Sequence, residues 1–259
     1  MKAYLEAARA SAPFAAYKRR LAEALALKPG ERMLDIGCGL GDDVRAAARA
    51  VAPSGTAVGV EHDAETLAAL GRPDDWPSGV RFTAGDATAL PFRDASFDVA
   101  RLDRVLHMMD EPARALAEAR RVLVPGGRLL VAEPLWTTLR LSGRLLDRSA
   151  VARRIERATA DAPGVAAFDP VALARAAGCG IVETWPLTVA FRKPAEARAL
   201  LHLDRTVFGL RLRKEIGAAA VAAWQTALEA DAADGSFSAH LGGVVLRLTR
   251  DVAPQAAAS

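Results

Sequence analysis

The stretch Arg32-Met33-Leu34-Asp35-Ile36-Gly37-Cys38-Gly39-Leu40-Gly41-Asp42 runs from an apolar segment through three alternate glycines into a charged segment. An apolar run of this length bounded by glycine reads as a buried strand. From Asp42 to Val51 the apolar residues Val44, Ala47, Ala48 and Val51 recur at helical spacing, so the order is strand, turn, helix. Glycines in such a turn take positive φ without steric cost and let the backbone approach a ligand closely. In an open α/β sheet the turn lies at the carboxyl end of its strand, where ligands bind. The spacing is G-x-G-x-G, and the third glycine of the dinucleotide pattern G-x-G-x-x-G would fall on Asp42. An acid at the helix N-terminus competes with a pyrophosphate for the same positive potential. The expected ligand carries no phosphate, and a positive charge on it is acceptable.

Working outward, Thr56–Val60, Val80–Thr83, Phe97–Leu102 and Arg128–Ala132 read as further strands. Helices are expected near Ala64–Leu70 and over Glu111–Val124, the latter stopped by Pro125-Gly126-Gly127. Strands alternating with helices of about ten residues make βαβ units and a parallel sheet covered on both faces. Upstream, Phe14, Tyr17, Leu21 and Leu25 mark a helix ended by Lys28-Pro29-Gly30. Beyond Glu133 the rhythm changes: residues 134–168 look irregular to helical, and Asp169–Ala177 is a helix with an Asp N-cap and Pro170 in its first turn. Two late strands, Ile181–Val189 and Gly243–Thr249, enclose two helical stretches, the second with Ile216, Ala220, Ala223, Trp224 and Leu228 on one stripe.

The architecture expected is therefore α/β, a doubly wound, seven-stranded, mostly parallel sheet with helical cap segments. Cap helices occupy residues 1–30, a ligand-binding core 31–133, and cap insertions 134–168 and 194–236. The rest of the sheet lies in 169–193 and 237–250, and a disordered tail in 251–259.

Of the 259 residues, 51% are hydrophobic and 25% charged, an ordinary globular mix. The 34 basic against 31 acidic residues leave only +3, and Arg120-Arg121 and Arg153-Arg154 read as isolated pairs on solvated helix faces, so nucleic acid is not an expected partner. Two cysteines, Cys38 and Cys179, form no disulfide framework and no metal spacing, which suits a reducing, cytoplasmic setting. No signal peptide and no membrane span is expected, and a homodimer stays open.

Carboxylates follow the glycine loop at the ends of the next two strands: Glu61, twenty residues after Gly41, and Asp86 in Ala84-Gly85-Asp86-Ala87. With these motifs in order, residues 15–133 resemble the class I S-adenosylmethionine (SAM)-dependent methyltransferases, especially the ubiquinone/menaquinone-type and natural-product small-molecule branch. The resemblance implies a Rossmann-like core with SAM as cofactor and S-adenosylhomocysteine as product. It implies that Gly37, Cys38, Gly39 and Gly41 wrap the amino-acid and ribose parts, and that Asp35 orders the loop near the methionyl ammonium. It further implies that Glu61 binds the ribose diol, with His62 flanking the adenine, and that Asp86 and the Ala87 amide read the adenine. Asp103 and Arg104 either line the cofactor or substrate mouth or are structural.

Relatives often carry a histidine after the fourth strand, which makes His107 the candidate catalytic base; the alternative is a helix-starting histidine with a structural hydrogen bond. Glu133 either faces a substrate or meets solvent. No metal is needed, since the cofactor's methyl group is already activated. The reading is methyl transfer to an O, N or C nucleophile of a small, apolar or aromatic metabolite. Aromatic and apolar residues of the cap segments, among them Phe14, Tyr17, Trp136, Phe168, Phe191, Phe208 and Trp224, suit such a substrate. Three rivals remain: a cyclase, hydroxylase or decarboxylase retaining SAM on this scaffold, an RNA or protein methyltransferase, and a non-catalytic SAM-binding subunit.

Overall fold

The computed structural model describes residues 2–71, 76–162, 164–165 and 167–250; the expected disordered tail lies outside them. Two helices open the chain, α1 (Lys2–Ala10) and α2 (Ala12–Leu25). Ser11 separates them: its side chain accepts from the Phe14 amide, and Pro13 sits in the first turn of α2. The core then runs β1 (Arg32–Ile36), α3 (Asp42–Val51), β2 (Thr56–Glu61), α4 (Ala64–Ala68), β3 (Val80–Ala84), β4 (Phe97–Asp103), α5 (Pro112–Val122) and β5 (Leu123–Pro134). Downstream lie β6 (Arg140–Ser142), α6 (Ala150–Ala160), α7 (Pro170–Ala176), β7 (Gly180–Phe191), α8 (Pro194–Leu200), α9 (Leu203–Leu212), α10 (Ala218–Ala233) and β8 (Ser238–Thr249).

β1 to β5 are mutually parallel in the order β3-β2-β1-β4-β5, and β8 adds antiparallel to β5. β7 pairs the opposite edge of β8 along nearly its whole length. The order reverses between β1 and β4, and the crevice at that reversal is where an open sheet of this kind binds ligands. Side chains of the sheet feed two apolar layers. Met33, Val44 and Ala48 join the layer shared with α2, α6 and α8–α10; Leu34, Ile36 and Leu102 join the layer under α5 and α7.

The sheet holds eight strands among the described residues, one more than expected, because the three-residue β6 pairs the start of β8. Three helices, α8, α9 and α10, stand where two helical stretches were expected. The buried stripe of α10 is Val221, Trp224, Leu228 and Asp231, whereas Ala223 is exposed. Asp231 is buried because it caps backbone: its carboxylate accepts from the amides of Leu145 and Leu146.

Candidate active site

The glycine turn is built by the strand beside it. Gly37 and Cys38 both donate their amides to the Val60 carbonyl, at 2.8 and 3.0 Å, and Gly41 donates to Cys38 at 3.0 Å. Gly37, Gly39 and Gly41 have φ of 76°, 54° and 69°. A Cβ on Gly37 would come within 2.6 Å of Val105, and one on Gly41 would meet the Phe82 ring. Glu61, at the end of β2, accepts from the Gly39 amide at 2.9 Å and from the amides of His62 and Asp63 at 2.9 and 3.0 Å. Three backbone amides thus hold its carboxylate, with the His62 ring 3.7 Å away. Asp63 in turn caps α4, accepting from the Glu65 amide. Asp86 accepts from the Thr88 amide at 2.8 Å, and that bond holds its carboxyl below the usual range.

These residues open onto one cavity of about 1370 Å³. Of the residues singled out in the sequence, Gly37, Cys38, Gly39, Gly41, Glu61, His62, Asp86, Ala87, Asp103, Arg104 and His107 all line it. Asp35 does not. It is buried beneath the loop, where Arg101 grips it bidentately at 3.0 and 2.7 Å. The chemistry of the wall fits SAM. Glu61 and Asp86 suit a diol and an amino group, and the first turn of α3 carries Asp42 and Asp43 in place of a phosphate cradle. The buried Nε of Arg104 makes no hydrogen bond, with the Asp103 carboxylate 3.6 Å away, and a ligand carboxylate would satisfy that donor. No group of metal-ligating residues occurs among the described residues.

Below the loop lies a chain of buried and half-buried charges that the sequence reading does not include. Arg101 also binds Asp43 at 2.8 Å, and Lys18 bridges Asp43 to Asp103. Tyr17 donates its hydroxyl to the same Asp103. Burial pushes the Asp103 carboxyl up, but Lys18, Arg104 and Arg101 outweigh it and bring it down to about 2. The Asp35 carboxyl is raised, because burial exceeds the opposing pull of Arg101. Burial also raises the Tyr17 hydroxyl and the Cys38 thiol, so both stay protonated. An arginine in the apolar run Val99-Ala100-Arg101-Leu102 was the available signal, since a strand-centre charge demands a partner. Lys18 and Tyr17, on a helix distant in sequence, gave none.

Arg104 follows β4 with φ 60°, unusual for a residue with a side chain, and its amide donates to Ala132 at 2.8 Å. Its guanidinium donates to the Tyr4 hydroxyl at 2.6 Å and lies 4.6 Å from the Phe14 ring. Helix α1 is thereby drawn over the glycine loop, with Leu5 near Gly39 and Arg9 bonded to Asp42 at 2.6 Å.

His107 lines the same cavity from a 3₁₀ turn, Leu106–His107–Met108. Its Nδ1 lies 2.7 Å from Glu133, whose side chain is fully buried at the end of β5. The other carboxylate oxygen of Glu133 accepts from the amides of Val105 and Leu106, at 2.9 and 2.7 Å. The Glu133 side chain is therefore closed off from bulk solvent although the residue lines the cavity, and it holds the turn and the imidazole together. The arrangement fixes Nδ1 as the hydrogen-bonded nitrogen and leaves Nε2 without a protein partner among the described residues. Trp136 and Phe168 flank the ring at 6.2 and 6.4 Å between centroids. Of the expected cap aromatics, Phe14, Tyr17, Trp136 and Phe191 line the cavity, whereas Trp224 is core and Phe208 points outward.

Residues 34–131 match the methyltransferase domain family. A protein of transposon TN4556 in Streptomyces fradiae, of uncharacterised function, is 40% identical over 192 residues, covering 73% of this chain and 55% of that one. The demethylmenaquinone methyltransferase of Renibacterium salmoninarum is 38% identical over 120 residues, 45% of this chain and 47% of that one. The chain thus spans about half the length of the curated relatives it matches. Among solved structures, the (4+2)-cyclase SpnF superposes with a TM-score of 0.56 at 25% identity, covering 93% of this chain and 82% of that one. A methyltransferase-like protein of Bacillus halodurans gives 0.58 at 21%, covering 91% and 99%, and speaks for the fold alone. The family match, the relatives and the sheet together identify residues 34–131 as a class I SAM-dependent methyltransferase domain.

Proposed function

We propose that the chain transfers a methyl group from SAM to an O, N or C nucleophile of a small, apolar or aromatic metabolite, with His107 as general base. The observation that carries this is the His107–Glu133 pair on the wall of the cavity that also contains the glycine loop. When bound, SAM supplies an electrophilic methyl carbon on a sulfonium. The glycine loop, Glu61, Asp86 and the Ala87 amide are the residues to hold it, and Asp35 acts beneath them by ordering β1 and β4 through Arg101.

The acceptor's proton goes to Nε2 of His107, and the buried Glu133 carboxylate stabilises the imidazolium that results. Trp136, Phe191, Leu187 and Val189 make the acceptor wall apolar and keep water away. Calorimetric titration with S-adenosylhomocysteine tests the cofactor half: binding is expected in the wild type and weakened in Glu61→Ala and Asp86→Ala, and binding that survives both would refute the placement. The chemistry is tested by following S-adenosylhomocysteine formation against a panel of phenols and quinols. The similarity to the (4+2)-cyclase SpnF favours one second reading, a SAM-retaining enzyme of another reaction class. Turnover of a substrate without formation of S-adenosylhomocysteine would establish it.

A further inference from the structure

Helix α9 buries Leu203, Val207 and Leu210, yet its outer face carries two large apolar side chains. Phe208 is 63% exposed and Leu212 68%, one turn apart on the same side. Exposed single hydrophobics are ordinary, but a bulky pair on one helix face is not explained by packing. Its surroundings are basic. Residues 192–214 contain seven basic and two acidic residues, in a chain whose overall excess is only three. Asp204 is taken up by Arg198 at 2.8 Å, and the nearby Glu215 by Arg213 at 2.6 Å. Arg205, Arg211 and Lys214 are exposed and make no ion pair among the described residues. Helix α6 packs against α9 and extends the basic surface with exposed Arg153, Arg154 and Arg157, tied across by Arg154 to Glu215 at 3.4 Å. Arg205 also lines the large cavity, so the patch borders its mouth.

We propose that the outer face of α9 docks on an anionic lipid surface, with Phe208 and Leu212 entering the acyl boundary while the surrounding basic side chains meet the headgroups. Such a helix lies in the plane of the interface and spans nothing, consistent with no described helix being long and apolar enough to cross a membrane. Charge alone would also suit RNA, but phosphate recognition gives no use to two protruding apolar side chains. A second copy meeting this face about a two-fold axis would set the basic patch against itself. The placement at the cavity mouth gives an apolar acceptor a route from the lipid that never crosses water.

The test is flotation of the full chain with phosphatidylcholine vesicles, with and without added phosphatidylglycerol. Flotation is expected only with the anionic vesicles. It should fall about tenfold or more in the double variant Phe208→Ser/Leu212→Ser and in Arg211→Gln/Lys214→Gln, and also at high salt. Thermal melting and S-adenosylhomocysteine binding should be unchanged, since none of these four residues lines the cavity. The proposal is overturned if the wild type does not float, or if it floats equally in both variants. Retention of bulk tRNA with the same arginine and lysine dependence, without vesicle binding, would assign the patch to nucleic acid instead. A dimer in light scattering that the Phe208/Leu212 variant dissociates, again without vesicle binding, would assign it to a second copy.

Discussion

The two ends of the cavity are made differently. At the cofactor end, consecutive strand ends deliver Gly39, Glu61 and Asp86 within about fifty residues of chain, and backbone amides hold both carboxylates in place. At the proposed acceptor end, the wall is assembled from α2, the turn after β5, β7 and the α8–α9 corner, which lie far apart in sequence. The first end is set once the parallel sheet forms, because register places the carboxylates. The second depends on packing among distant segments and can be refitted one side chain at a time. On the proposed reading, an end built from neighbouring strand ends holds the cofactor and an end built from distant segments meets the acceptor, so the second can vary while the first is kept.

The largest effect should come from breaking the acceptor end. His107→Ala is expected to lower kcat by about 10²- to 10⁴-fold while leaving S-adenosylhomocysteine affinity within about twofold, read by steady-state kinetics beside calorimetry. Glu133→Gln should follow it, with the pH dependence of kcat displaced, because the imidazolium loses its anionic partner; an unchanged profile would make Glu133 a purely structural support. Next comes the layer under the loop. Arg101→Leu leaves Asp35 buried without its cation and should cost about 3–5 kcal/mol in urea unfolding. Adding Asp35→Asn should restore part of that loss, a coupling that two independent sites would not show.

Smaller effects sharpen the cofactor end. Glu61→Gln should weaken S-adenosylhomocysteine binding about tenfold to a hundredfold, more than Asp86→Asn, since Glu61 also fixes the Gly39 amide. The smallest effect is on pH. Asp103 is depressed to about 2 in the fold, so its stabilisation is complete above the unfolded carboxylate range and is lost as pH falls from about 4 towards 2. Asp35 is raised and works in the opposite sense, favouring the fold below its unfolded pKa and losing that contribution as pH rises through its folded value. Acid unfolding curves of Asp103→Asn should therefore flatten between about pH 2 and 4, and those of Asp35→Asn should steepen only above about pH 4.

The convergence of the glycine loop, Glu61 and Asp86 on one cavity was legible because its determinants are local: a glycine spacing, and acids at the ends of apolar runs. Glu133 was visible as a strand-end acid, yet its burial depends on the turn at Val105–His107 folding back over it, which no spacing reveals. β6 is three residues long and exists because β8 extends beyond β5, so it had no periodicity to detect. The boundary between α1 and α2, within the expected cap helices of residues 1–30, is signalled by Ser11 and Pro13. Arg101 was read as part of an apolar strand, although its charge there announced a buried counterion.

Strand β8 follows every other described strand in chain order but lies between β5 and β7, and β7 has no other strand beside it. During synthesis, residues up to Pro134 can complete the parallel half while β7 waits for a neighbour not yet made. Leu187, Val189 and Phe191, which wall the acceptor end, are carried on that waiting strand. The far wall of the cavity is therefore the last part of the sheet to find its place, settled only when the final strand arrives to join it to the rest.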